Sequence, residues 1–373
     1  MKKIISLLLA ALMLFTLAAC GGGDKNSNNS SSDNSGGKAD NNSTVLSGEK
    51  EAVEVLVGFY INGVKDRGYD YDSNGNMIFD ATYKSDGKTE STRYTWLFDE
   101  DNRLMQTTSY YDYDDGSVRT TDYSYDEKGS LCLEASSNGA RVEYTNDANG
   151  NCILEQHYKA DGTLNSKDEF QYDAQGRCIL ETKYNADGSL NRKISYEYDS
   201  SDRVICEIRT ESDGEEDKRF YEYNEKGETK SYKSYTDGVL VLEYGNIYNA
   251  DGLLSEYYYN YYDGDDSDLQ RSVYTYDESG RLIRTDKYED GESEEYYLYE
   301  YDANGRKSRF TRYDDDGDFE FSEDITYTES GLLLKRVLTY PSKTEVVDYE
   351  YKNIEVPVER ADWVREFQME YDP

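Results

Sequence analysis

The fold of this chain is decided by the stretch Tyr274-Thr275-Tyr276-Asp277-Glu278-Ser279-Gly280-Arg281-Leu282, which recurs in altered form about a dozen times between Tyr69 and Tyr351. In each copy a strand end leads into a four-residue turn, typically Asp-x-x-Gly. Most neighbouring copies lie 25 or 26 residues apart when they are aligned on the anchor residue before the turn. The anchors are Tyr71, Phe98, Tyr125, Asn146, Tyr172, Tyr198, Tyr223, Tyr248, Tyr276, Tyr301 and Tyr327, with a degraded copy at Tyr351. Such a period indicates a repeat architecture.

Each repeat has the pattern of two antiparallel strands joined by two turns. An aromatic residue lies two positions before most anchors, which is the alternation of a β-strand. A second turn signal stands about halfway along most repeats, for example Asp161-Gly162 and Asp187-Gly188, and these dipeptides favour hairpins. The sequence therefore predicts an all-β fold. It would be a repetitive antiparallel β-meander of about two dozen short strands, forming a long twisted or curled sheet.

The turn chemistry also predicts the pairing of the strands. Asp at the first corner and Gly at the fourth fit a type I turn with a G1 bulge. The predicted pairs around one repeat are Tyr172 with Cys178, Phe170 with Leu180, and Tyr184 with Leu190. The opposite face is mostly polar but carries a thinner apolar stripe of Ile78, Met105, Cys132, Ile153, Ile179, Ile205, Ile283 and Leu334.

The repeat resembles the YD-repeat family of the Rhs proteins. The likeness is carried by Tyr276-Asp277-Glu278-Ser279-Gly280-Arg281-Leu282 and Tyr172-Asp173-Ala174-Gln175-Gly176-Arg177-Cys178, and it covers about three quarters of the chain. In that family the repeats wind into a β-sheet shell. The resemblance therefore implies a binding or encapsulating scaffold, and it supplies no active site.

Residues 1–19 have the pattern of a bacterial lipoprotein signal peptide. Lys2 and Lys3 precede an apolar stretch that is too short for a secure transmembrane span. It ends in Leu17-Ala18-Ala19-Cys20, which resembles a lipobox and implies cleavage before Cys20 and a lipid on its thiol. The alternative is an ordinary secretion signal with an incidental cysteine. We expect a lipid-anchored protein at the cell membrane, facing outside the cytoplasm.

The rest of the chain divides by composition. Residues 20–48 are rich in Gly, Ser, Asn and Asp, and such a composition predicts a disordered linker. Residues 49–68 do not fit the repeat and are predicted to be an N-terminal cap that covers a sheet edge. Residues 69–353 hold the repeats, and residues 354–373 are predicted to be a C-terminal cap.

Composition limits the kinds of binding partner and the kind of core that this chain can have. The net charge of −37 argues against nucleic acid as a partner, since nucleic-acid binders need basic patches. It also argues against charge-driven adsorption to an anionic membrane. Tyrosine supplies 40 residues against 10 Phe and 2 Trp, so any core is largely tyrosine, which buries its ring and keeps its hydroxyl hydrated.

Histidine and cysteine, which often act in catalysis or metal binding in other proteins, have structural explanations in this sequence. His157 is the only histidine, and no Ser or Cys elbow surrounds it, so we assign no catalytic residue and no metal ligand. It is expected to face solvent on a strand. Four cysteines follow the turn in consecutive repeats, and we interpret them as small buried apolar residues, with disulfides or a metal site as alternatives. They are Cys132, Cys152, Cys178 and Cys206.

Asp-rich turns bring oxygen atoms close together, as calcium requires. Examples are residues 147–151, 263–268 and 314–318. The turn itself demands Asp and Gly, so a solvated turn explains the same residues. We predict no cofactor and leave calcium open as the alternative.

A tyrosine cluster is the predicted ligand contact. It comprises Tyr257, Tyr258, Tyr259, Tyr261 and Tyr262. These side chains cannot all point one way on a strand, so some ring there must be exposed. The predicted function is a non-enzymatic binding or adhesion scaffold for carbohydrate, cell-wall polymer or protein. The alternatives are an Rhs-like structural or encapsulating shell, a toxin-associated accessory protein and, with least support, a secreted enzyme.

Overall fold

The structure, a computed structural model, describes residues 49–112, 116–264 and 266–370. The predicted signal peptide, the lipid site at Cys20 and the linker up to residue 48 lie outside the described residues. The described residues form 24 strands and one helix. These are β1 Lys50–Ile61, β2 Val64–Tyr71, β3 Met77–Tyr83, β4 Glu90–Phe98, β5 Leu104–Tyr111, β6 Val118–Tyr125, β7 Leu131–Ser136, β8 Arg141–Asn146, β9 Cys152–Tyr158, β10 Leu164–Tyr172, β11 Cys178–Asn185, β12 Leu190–Tyr198, β13 Val204–Glu211, β14 Glu216–Tyr223, β15 Thr229–Thr236, β16 Val239–Tyr248, β17 Leu254–Asp263, β18 Asp266–Tyr276, β19 Leu282–Glu289, β20 Glu292–Tyr301, β21 Lys307–Asp314, β22 Phe319–Tyr327, β23 Leu333–Tyr340, β24 Lys343–Pro357 and α1 Val358–Glu370.

The Asp-x-x-Gly motif closes its hairpin through the side chain of the Asp. After Tyr276, Asp277 Oδ1 accepts hydrogen bonds from the backbone N–H groups of Ser279 and Arg281, both at 2.9 Å. The N–H of Gly280 donates to the Asp277 carbonyl at 3.0 Å. Gly280 has a φ of 78°, a left-handed conformation that glycine adopts without a Cβ clash. The motif therefore specifies the turn by local chemistry, as predicted.

A β-bulge follows both turns of a repeat and shifts the register. Two predicted pairs are confirmed, Tyr172 with Cys178 and Tyr184 with Leu190. The third is wrong, because Ile179 is left out of the ladder and Phe170 lies opposite Glu181 instead of Leu180. The equivalent bulge leaves out Ile78, Met105, Ile153, Ile205, Ile283 and Leu334. These members of the predicted apolar stripe are therefore bulge residues.

Where the motif carries an arginine after the turn, that arginine and the next anchor tyrosine can join neighbouring repeats. Tyr198 Oη donates to the carbonyl of Cys178 at 2.6 Å, and the Arg177 guanidinium lies 4.7 Å from the centre of the Tyr198 ring. Tyr301 makes the same pair of contacts, to the Leu282 carbonyl at 2.7 Å and with Arg281 at 4.9 Å. The conserved chemistry of the repeat is therefore structural, since these groups already bind one another.

All 24 strands belong to one sheet. Wherever the pairing is described, each strand pairs antiparallel with the next, and β1 pairs with both β2 and β24. The β1–β24 ladder runs from Lys50 opposite Pro357 to Ile61 opposite Val347. The prediction of an all-β antiparallel meander is confirmed. The predicted twisted or curled sheet needs correction, because β1 pairs with β24 and the sheet is therefore closed and not merely curled.

The described residues divide into two compact units. The first contains residues 122–246 and 259–268, and the second contains residues up to 121, 247–258 and 269–370. In the second unit the apolar core lies between β1 and α1, where Val53, Val55, Val356 and Val364 are at most 2% exposed. Gln368 of α1 accepts a hydrogen bond from the backbone N–H of Leu56 at 2.7 Å. The helix therefore both packs against β1 and satisfies one of its donors.

Candidate functional site

One face of strands β9 to β16, in the first unit, carries a row of buried and half-buried charged side chains. Residues opposite each other in an antiparallel ladder point to the same side. The ladder places Glu155, Asp168, Lys183 and Arg192 opposite one another on β9, β10, β11 and β12. We call the side to which these residues point the Asp168 face.

His157 lies on the Asp168 face between two carboxylates. Its Nε2 is 3.5 Å from Glu155 Oε2 and 3.3 Å from Asp168 Oδ2. Lys183 Nζ is 3.2 Å from the same Asp168 oxygen. The expectation that His157 faces solvent is wrong, since the ring is half-buried between two acidic side chains and only 32% of it is exposed.

The cluster is electrostatically coupled. Hydrogen bonding to Asp168, and then to Glu155, raises the pKa of His157 to about 9. Burial by itself would raise the pKa of Asp168, but hydrogen bonding from His157 and the charge of Lys183 hold it below its ordinary value. At neutral pH the His157 ring is therefore protonated and faces the ionised Asp168 carboxylate.

Three polar atoms on this face are buried and lack a hydrogen-bond partner within the described part of the chain. They are Asp168 Oδ1, Arg192 Nε and Arg209 Nε. Asp168 is only 4% exposed. A buried polar atom without a partner costs about 1–3 kcal/mol. The described part of the chain therefore leaves some buried hydrogen-bonding atoms on this face without a partner.

An aromatic platform lies on the same face at β14 to β16. Tyr221, Tyr232 and Tyr244 oppose one another across the ladder. The rings of Tyr232 and Tyr244 stack at 4.9 Å and 14°, and Tyr221 meets Tyr232 at 5.1 Å and 60°. Beside them, Arg219 donates to Glu207 at 2.8 Å. All three rings are half-buried, so each keeps part of its surface open to solvent.

The predicted tyrosine cluster lies on β17. Tyr261 is 50% exposed, so the expectation of an exposed ring is met there. Tyr262 Oη donates to Glu243 Oε1 at 2.6 Å. Tyr257, Tyr258 and Tyr259 are half-buried. Their role as a ligand contact stays a prediction.

The remaining predicted residues are placed as follows. Cys152 and Cys206 are buried, Cys132 and Cys178 are half-buried, and none of the four forms a disulfide within the described residues.

At one Asp-rich turn, Asp147 Oδ1 accepts the backbone N–H groups of Asn149 and Asn151 at 2.7 and 2.9 Å. This carboxylate is therefore already bound by its own turn. Asp265, in the predicted Asp-rich turn at residues 263–268, lies outside the described residues, as do residues 113–115.

Sequence reasoning missed the cluster of Glu155, His157 and Asp168. The available signal was the spacing of Glu155 and His157, two apart on a predicted strand and hence on one face. Asp168 joins them only because a bulge omits Asn165, which places Ser166 opposite His157 and Asp168 opposite Glu155. An uninterrupted ladder would have turned Asp168 to the other face.

Fold and site together define an all-β repeat protein with a closed antiparallel sheet and a polar and aromatic face on one unit. A family model described as an uncharacterised protein matches residues 163–249. No curated protein matches the chain. Within the described residues, no helix is both long enough and apolar enough to cross a membrane.

Solved structures give distant similarities in fold. The crystal structure of TcdB2-TccC3-TEV is 12% identical, with a TM-score of 0.41, over 81% of this chain and 20% of that chain. The Tc holotoxin pore of Photorhabdus luminescens is 11% identical, with a TM-score of 0.39, over 78% and 20%. A porin-like protein from Bacteroides uniformis is 10% identical, with a TM-score of 0.26, over 81% and 97%. The chain spans about a fifth of the length of the two toxin chains.

Proposed function

We propose that the protein is an exported, lipid-tethered, non-enzymatic binding scaffold whose ligand is a glycan or cell-wall polymer held on the Asp168 face. The observation that carries the proposal is the stack of Tyr232 on Tyr244, at 4.9 Å and 14°, beside the Glu207–Arg219 pair. The lipid tether rests on the lipobox-like sequence that ends at Cys20.

The repeat motif itself is a poor candidate for ligand binding. The hydroxyl of Tyr198 and the guanidinium of Arg177 already bind the neighbouring repeat, and Asp277 binds its own turn. Function therefore belongs to side chains that differ between repeats. On β9 to β16 those side chains are the charged residues that lie opposite one another in line with Asp168, and the three tyrosines of the aromatic platform.

A polar polymer matches the chemistry of this face. The C–H faces of a sugar ring pack on half-exposed aromatic rings, while its hydroxyls pair with carboxylates and guanidinium groups. Eight neighbouring strands at about 4.8 Å span roughly 34 Å, which accommodates several sugar units. The unpartnered Arg192 Nε and Arg209 Nε are donors without protein acceptors. Nucleic acid is a poor ligand for a chain of net charge −37.

The test is a binding measurement on a glycan and cell-wall polymer panel with the full chain in mild detergent. Tyr232→Leu should weaken binding about tenfold or more, because loss of a central aromatic contact costs roughly 2 kcal/mol. Tyr235→Leu is the matched control. It changes the same residue type on the same strand, but its ring packs on Phe220 on the opposite face.

Two results would overturn the proposal. One is saturable glycan or polymer binding that Tyr232→Leu leaves unchanged, which would move the site, with Tyr261 as the next residue to test. The other is the absence of any binding across the panel, together with capture of a protein ligand, which would replace the polymer by a protein.

The closed sheet favours a second candidate function, the enclosure of a partner. The pairing of β1 with β24 leaves no free strand edge between the first and last strands. For this function, protein purified from its native cell should carry a partner that resists added protease until the sheet is unfolded. A partner that is digested at once, or no partner at all, would exclude it.

A further inference from the structure

We propose that Glu155, His157 and Asp168 form a binding site for a divalent transition-metal ion of the zinc class. The proposal is independent of the ligand proposed above. It concerns the cluster at one end of the Asp168 face, where an imidazole and two carboxylates bring one donor atom each within 4.8 Å of one another.

The donor separations fit a metal site. Zinc binds nitrogen and oxygen at about 2.0–2.1 Å in tetrahedral geometry, so neighbouring ligand atoms are about 3.3–3.4 Å apart. His157 Nε2 lies 3.3 Å from Asp168 Oδ2 and 3.5 Å from Glu155 Oε2. Both separations from His157 therefore match a tetrahedral site, and the two carboxylate oxygens lie within 4.8 Å of each other. One ion could bind all three residues after a movement of the carboxylates, and a water molecule would complete the tetrahedron.

A single hydrogen bond can account for only one of these two contacts at a time. The single N–H at Nε2 can point at one carboxylate only, and charge-assisted N–H···O bonds are about 2.7–2.9 Å long. Both separations around His157 are longer. The ring nitrogen therefore lies between two carboxylate oxygens, at separations that a shared cation would also give.

Asp168 provides a second, independent observation. Its side chain points at His157, it is 4% exposed, and its Oδ1 has no partner among the described residues. A buried carboxylate with one oxygen that the protein does not satisfy can accept a further ligand such as a metal ion. Lys183 Nζ, 3.2 Å from Oδ2, is the group that a metal would displace from that oxygen, and the unpartnered Oδ1 can receive it.

The donor set selects the class of metal. One imidazole and two carboxylates suit zinc and its first-row neighbours, whereas calcium takes six to eight oxygen ligands. His157 must be neutral to bind, so binding releases its proton to solvent. The site leaves one position for water, but no reaction follows from that alone.

The experiment titrates the full chain, freed of metal with a chelator, with zinc by calorimetry and with cobalt by visible absorption. We expect one equivalent to bind and the cobalt spectrum to show a tetrahedral nitrogen and oxygen site. His157→Gln and Asp168→Asn should each weaken binding by a hundredfold or more. Glu169→Gln is the matched control, since Glu169 is the next residue on β10, points to the opposite face and pairs with Lys167 at 2.7 Å.

Folding is checked separately, by circular dichroism and by the rise in Tm on adding zinc. Glu155→Gln serves as a milder variant, because Glu155 is less buried than Asp168. The proposal is overturned if no equivalent binds, or if folded Glu155→Gln and His157→Gln proteins bind as tightly as wild type. It is also overturned if cobalt shows thiolate charge transfer, since cysteine thiolates would then be the ligands.

Discussion

Replacing Gly75 by Ala should destabilise the second unit far more than the same change at an equivalent turn. Gly75 has a φ of +82°, and a Cβ built there would lie 2.4 Å from Val364 Cγ2 and 3.3 Å from Val356 Cγ1. An alanine in the left-handed conformation costs about 1–2 kcal/mol, and overpacking a filled core costs about 1–3 kcal/mol. Together they predict a loss of about 2–5 kcal/mol, because α1 has no room to move away without exposing its core.

Gly305→Ala isolates the packing contribution. Gly305 lies in the same unit with a φ of +81°, and nothing lies within 4 Å of its built Cβ. Only the backbone cost of about 1–2 kcal/mol should appear there. Urea unfolding followed by circular dichroism and tryptophan fluorescence measures both changes. Val364→Ala in the Gly75→Ala background should recover part of the loss. Equal destabilisation by the two glycine substitutions would show that α1 does not press on this turn.

Three further predictions concern the cluster around His157, the hydrogen bond from an anchor tyrosine to the neighbouring repeat, and the lipid at Cys20. Asp168 and then Glu155 raise the pKa of His157 to about 9. The protonated ring therefore contributes its full free energy of stabilisation below about pH 6.5, and this contribution is lost as the pH rises through 9. In chelator, wild type should lose at most about 3 kcal/mol more than His157→Gln over that range, whereas parallel stability curves would contradict the assignment. Tyr198→Phe removes the donor to the Cys178 carbonyl and should lower the free energy of unfolding in urea by about 1 kcal/mol. Tyr261→Phe, on an exposed ring, is the control. An equal effect of the two substitutions would show that the hydrogen bond does not stabilise the fold. Cys20→Ser should abolish labelling by a fatty-acid analogue and release the protein from membranes, while retained label would place the lipid elsewhere.

The turns could be predicted from sequence because their chemistry is local. Asp277 binds backbone groups two and four residues away, so four residues contain the whole explanation. The confirmed pair of Tyr172 with Cys178 follows directly from that geometry. The closure of the sheet could not be predicted in this way. It joins Lys50 to Pro357, and no local pattern specifies a contact so distant in sequence.

The bulges explain which strand pairs and which site residues the sequence did not predict. Each one omits a single residue from the ladder, and a shift of one residue moves every later side chain to the other face. The apolar Ile179 looked like an ordinary strand residue, although it is a bulge residue. The bulge at Asn165 brings Asp168 to His157. The candidate metal site therefore depends on a backbone irregularity that hydrophobic periodicity does not reveal.

The pairing of β1 on both sides has a mechanical consequence. The chain enters the sheet at β1, so a pull along the residues before Glu49 is applied along the axis of that strand. Its hydrogen bonds to β24, from Lys50 to Ile61, and those to β2 run across the strand axis. They are therefore loaded in shear, together, instead of being peeled apart one by one from a free edge. A protein held by its N-terminal segment against flow or against a moving polymer would resist extraction at the strand where the tension arrives.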